Sequence, residues 1–150
     1  MVATVRPILA NSCARAATAA EARFRIDAEI GPRRALIVAL DEAAADVVDR
    51  VAEKPWGGAR FFRSPAEVRL AEELEDADVA IMVGTAAADG GAAARIAHAC
   101  VERGIMTAGL VLGAREQVAG AVAALRPYAR NLMATEDEDD LAAVLTALRA

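Results

Sequence analysis

The run from Asp78 to Leu112 limits the fold of this chain more than any other stretch. Asp78-Val79-Ala80-Ile81-Met82-Val83 is a short apolar run of the kind that forms a strand buried on both faces. A loop of small residues comes next, Gly84-Thr85-Ala86-Ala87-Ala88-Asp89-Gly90-Gly91, and a helical pattern then runs from Ala92 to Arg103. Gly104 stops that helix, and Ile105 to Leu112 is the next apolar run. Strand, loop, helix, glycine and strand together spell a βαβ unit.

Most of the chain fits the same plan. With 150 residues it has the size of one domain and can bury a real core. Hydrophobic residues make up 56% but aromatics only 3%, so the core must be built from Ala, Val, Leu and Ile. Such a core suits a layered fold better than a deep aromatic pocket. The net charge of −5 would repel phosphate backbones, which argues against a nucleic-acid partner. No apolar run approaches the ~20 residues that span a bilayer, so no membrane partner is expected. Cys13 and Cys100 match no metal or redox spacing, and nothing implies an oxidising compartment, so a cytoplasmic setting is expected. Cys100 lies on the apolar side of its helix and should pack there as a small hydrophobe.

Residues 1–34 differ in composition from residues 35–150. The first acid is Glu21, and alanine, Arg6, Arg15, Ser12 and Thr18 dominate before it, a composition faintly like a transit peptide. The adopted reading is an Ala-rich arm packed on the domain or on a neighbouring subunit, with residues 24–30 alternating as an edge strand would. Residues 35–150 then form one domain. Ala35–Leu40 reads as the first strand and Ala43–Glu53 as a helix. Ala59–Arg63 reads as the second strand. Ser64-Pro65-Ala66-Glu67 reads as a capping box opening a helix to about Glu75. After the central unit, a helix carries Val118, Val122 and Leu125 on one side and ends at Arg126-Pro127. Asn131–Ala134 is a last short strand. Thr135 and Glu138 read as a second capping box before a helix with Leu141, Val144, Leu145 and Leu148 inward. This regular alternation predicts a three-layer, Rossmann-like α/β domain, a parallel sheet of about five strands with helices on both faces.

Gly91 to Val111 resembles the tubulin/FtsZ GTPase domain, in which a glycine-rich G-G-G-T-G-T-G signature leads into a small-residue helix, then Gly-Ile and a strand. Ile37 to Val51 is similar to that family's first strand, glycine loop and helix; Gly58–Arg63 resembles its second strand and Tyr128–Thr135 its last. The likeness covers most of residues 35–136. With one strand lost, it implies the strand order 2-1-3-4-5. A ligand crevice would then open at the switch point between the first and central strand ends. Asp41, Glu42, Gly84, Thr85, Asp89, Gly90 and Gly91 would line it.

Both phosphate loops depart from the family. Asp41-Glu42-Ala43-Ala44-Ala45 stands where the first glycine loop would be, placing two carboxylates at a helix N-terminus that a phosphate would need. Thr85-Ala86-Ala87-Ala88-Asp89-Gly90 replaces the signature, and Asp89 is placed to cap the helix itself. The segment before the central strand is reduced to Arg69–Asp76. GTP hydrolysis by the family mechanism is therefore not expected.

His98 shares a helix face with Arg95 and Glu102 and reads as a solvated residue. The acidic run Glu136–Asp140 lacks calcium-loop spacing and reads as the favourable first turn of a helix. A metal held by Asp41, Glu42 and Asp89 would need their loops to converge; helix capping is the simpler account. The expectation is a non-catalytic domain with a degenerate nucleotide-binding fold, without a cofactor, used for interaction with a protein partner or for homo-oligomeric self-association. The alternative is a small-molecule or nucleotide-binding protein, an enzyme among the options, using the same crevice for a neutral, cationic or metal-bound ligand.

Overall fold

The computed structural model describes residues 31–150, of which Pro32–Ala150 form one unit. The expected arm up to residue 30, with its edge strand over 24–30, lies outside the described residues. Residues 31–34 are exposed and irregular, and the Arg33 N–H donates to the Arg149 carbonyl at 3.0 Å. The domain is thus joined to its own C-terminal end two residues before the expected boundary.

The chain runs β1 (Ala35–Ala39), α1 (Glu42–Ala52), β2 (Arg60–Phe62), a 3₁₀ turn (Pro65–Glu67), α2 (Leu70–Glu73), β3 (Val79–Gly84), α3 (Gly90–Glu102), β4 (Met106–Leu112), α4 (Arg115–Leu125), β5 (Asn131–Thr135) and α5 (Asp139–Ala147). All four strand pairings are parallel and the order is β2-β1-β3-β4-β5. This is the three-layer, Rossmann-like α/β sheet expected, with the first and central strands side by side.

Alternation along β1 and β3 divides the core. Ala35, Ile37, Ile81 and Val83 pack with Val47, Val48 and Val51 of α1 and with Leu141 and Leu145 of α5. Leu36, Val38, Ala80 and Met82 face the other way, onto Ile96 and Cys100 of α3 and Val118 and Leu125 of α4. Burying a Leu or Ile side chain contributes roughly 1.5–3 kcal/mol, so aliphatic residues form the buried layers. Trp56 and Phe61 pack partly buried against one of them, and Phe62 and Tyr128 against the other. Alanines at 44, 45, 92 and 93 are fully buried, which lets α1 and α3 lie close to the sheet. At the end of α3, Gly104 takes φ +67°; the Gly104 N–H donates to the Val101 carbonyl, and the Ile105 N–H to the Cys100 carbonyl at 2.9 Å. That Schellman closure is the helix stop that Gly104 promised.

Two expected helix starts differ. The helix over 64–75 breaks into the 3₁₀ turn and the four-residue α2, because Val68 turns extended (φ −87°, ψ 114°) and is buried in the core. The Ser64 hydroxyl accepts from the Ala66 N–H at 3.2 Å, and the Glu67 carboxylate accepts from Arg63 rather than Ser64, so the capping box does not close. Burial of one valine outweighs a start signal worth about 1 kcal/mol. Thr135 likewise belongs to β5. Its hydroxyl donates to Asp140 at 2.5 Å and accepts from the Asp137 N–H at 3.1 Å, and α5 begins four residues later.

Candidate functional site

The crevice expected at the switch point is bounded by the β1–α1 and β3–α3 loops. Two backbone bonds tie these loops across the strand ends: the Leu40 N–H donates to the Val83 carbonyl at 2.8 Å, and the Asp89 N–H to the Leu40 carbonyl at 3.3 Å. The half-buried Asp41 adds a third link through its side chain. One carboxylate oxygen (Oδ2) accepts from the Thr85 N–H at 2.7 Å. The other (Oδ1) accepts the Thr85 hydroxyl at 3.0 Å and the Ala44 N–H at 2.9 Å. Asp41 therefore caps α1 and fastens the two lips of the crevice together.

The second loop is filled in the same manner. Asp89 Oδ1 accepts from the Gly91 N–H at 2.9 Å and the Ala92 N–H at 3.1 Å, taking two of the donors that α3 leaves open at its N-terminus. Thr85–Ala88 is a tight turn lying directly over the end of β3. A Cβ on Gly84 would stand 2.6 Å from the Ala88 Cβ.

Of the seven residues expected to line the crevice, Asp41, Gly84 and Thr85 are brought together. Glu42 is exposed and its carboxylate meets Arg63 at 3.5 Å instead. The same guanidinium reaches Asp46 at 3.7 Å and Asp49 at 3.1 Å, a cluster on the outer face of α1 that the sequence reading missed. Asp89, Gly90 and Gly91 form the first turn of α3, where Asp89 is spent on its own helix. Among the described residues no three His, Cys, Asp or Glu side chains converge as metal ligands, so the loops do not assemble the acid cluster a cation would need.

The remaining candidates are accounted for locally. His98 is exposed, with the edge of its ring against Tyr128 at 6.4 Å between centroids. In the run 136–140, Glu138 pairs with Arg50 at 2.8 Å, Asp137 accepts from the Asp139 N–H, and Asp140 holds Thr135. Cys100 is a free thiol, fully buried against the sheet; that burial pushes it up to about 11, with the Arg103 cation acting in the opposite direction. A buried protonated thiol is inert as a nucleophile. Among the described residues no helix is long and apolar enough to cross a membrane.

No protein-family model matches this chain, and no curated protein matches it.

Proposed function

We propose that this chain is a non-catalytic domain in which a nucleotide-binding, tubulin/FtsZ-like framework is retained for interaction or self-association. One observation carries the reading: the backbone N–H groups that a phosphate would bind at the ends of β1 and β3 are held by the protein's own carboxylates. Asp41 takes those of Ala44 and Thr85, and Asp89 takes those of Gly91 and Ala92. A phosphate arriving there would meet fixed negative charge in the place where helix N-termini ordinarily attract it. The reading includes a cytoplasmic setting, supported by Cys100 standing as a free thiol.

Isothermal titration of the full chain with GTP, ATP and NAD, each with Mg²⁺, tests it. The expected result is no saturable heat for any of the three. Micromolar binding of one of them, lost on widening the 41–45 or 85–91 loops, would overturn the reading.

A further inference from the structure

β5 is the edge of the sheet. It pairs with β4, and among the described residues nothing pairs with its other side. Natural edges are usually guarded by charge, proline or a bulge. Asn131-Leu132-Met133-Ala134-Thr135 has neither charge nor proline, and Met133 is 45% exposed. The Gly113 N–H donates to the Thr135 carbonyl at 2.9 Å, so Asn131, Met133 and Thr135 turn their backbone groups toward β4 in the register of the ladder. By the alternation of a parallel ladder, the N–H and C=O groups of Leu132 and Ala134 then point outward.

Both flanks of this strand are apolar and hollow. On one side a groove of about 500 Å³ is lined by Leu110, Met133, Leu141 and Val144. On the other, a groove of about 420 Å³ runs between β5 and α4, lined by Val122, Ala123, Leu132 and Ala134. Charge is divided between the two ends of the strand. Arg126 and Arg130 precede it, while Glu136 and Asp137 come after it. Among the described residues neither Arg130 nor Glu136 has an ion-pair partner.

We propose that two copies of this chain associate through β5, antiparallel about a two-fold axis at Met133, so that the sheet runs on from one subunit into the other. The proposal rests on the self-association reading above and names its surface. Centred on Met133, the pairing sets Arg130 opposite Glu136 of the partner subunit and Asn131 opposite the partner's Thr135. Leu132 exchanges its outward N–H and C=O with those of the partner's Ala134. The two-fold axis repeats the Arg–Glu pair, so one strand satisfies itself. Moving the register by one step toward the C-terminal side sets Leu132 opposite the partner's Glu136, so charge and apolar contact select the same alignment.

Sedimentation velocity on the full chain across the micromolar range tests this. The wild type should show a concentration-dependent species of twice 15.6 kDa. Ala134→Pro removes an outward N–H and leaves the β4 ladder intact, so it should sediment as a monomer with unchanged far-UV circular dichroism. Arg130→Glu and Glu136→Arg should each weaken the dimer about tenfold or more, and the two combined should restore it. A wild type that stays monomeric overturns the proposal, as does a dimer indifferent to Ala134→Pro and to the charge swap. Nucleotide binding in the calorimetry would overturn the non-catalytic reading and leave the dimer standing. A monomer that binds no nucleotide would remove the dimer alone.

Discussion

Asp41 holds Thr85 twice, through the backbone N–H at 2.7 Å and the hydroxyl at 3.0 Å, while capping α1 at Ala44. Three bonds converge on one half-buried carboxylate, so its loss leaves the Thr85 and Ala44 N–H groups without their partner. Asp41→Ala should cost about 2–4 kcal/mol, an N-cap plus two charge-assisted bonds. Thr85→Val removes only the hydroxyl bond and should cost roughly 0.5–1.5 kcal/mol. Urea denaturation of both single variants and the double variant closes the cycle. We expect a coupling of about 1 kcal/mol; additive costs would mean that the two side chains do not act together.

This contact could have been read from the sequence once the strands were paired. Ala39 lies opposite Val83, and Asp41 and Thr85 each stand two residues further on, so parallel register alone makes them neighbours. Apolar runs and helix stops gave the strands and their order because each rests on several residues agreeing. Single caps were less secure. Ser64 and Thr135 both carry the pattern of a helix start, yet Val68 is drawn into the core and Thr135 is kept by β5, and neither competition is visible locally. The openness of β5 was hidden for the same reason, since an edge is defined by what fails to pair with it.

Gly84 and Gly120 should respond oppositely to alanine. At Gly84 the new Cβ would meet the Ala88 Cβ at 2.6 Å and press the 85–88 turn away from Asp41. We expect a loss of about 1–3 kcal/mol, as for other overpacked sites. At Gly120, inside α4, a Cβ meets nothing within 4 Å. Gly120→Ala should stabilise by roughly 0.5–1 kcal/mol through helix propensity. Thermal melts of the two variants check both signs, and a neutral Gly84→Ala would show that the turn is free to shift.

Arg63 faces Glu42, Asp46 and Asp49 on the outside of α1, all in solvent. Exposed pairs of this kind are worth roughly 0–1 kcal/mol and are screened by salt. Arg63→Ala should therefore lower the urea midpoint slightly at low ionic strength and hardly at all in molar salt. A large loss persisting in high salt would assign Arg63 a packing role instead.

Cys100 gives the domain a stability term that alkali removes. Its thiol rises from an ordinary 9.0 to about 11 because burial disfavours the thiolate, and the positive charge of Arg103 offsets this only in part. The folded state thus holds the proton more tightly than the unfolded chain. The contribution is fully present below pH 9 and is lost as the pH climbs toward 11. Other groups titrate in that range, so the comparison must be with Cys100→Ala, which keeps all of them. Wild type should lose more stability than the variant between pH 9 and pH 11 in urea titrations, and its thiol should react with an alkylating reagent only on unfolding. Parallel declines in the two proteins, or rapid labelling of Cys100 in the folded state, would mean that the thiol is open to water.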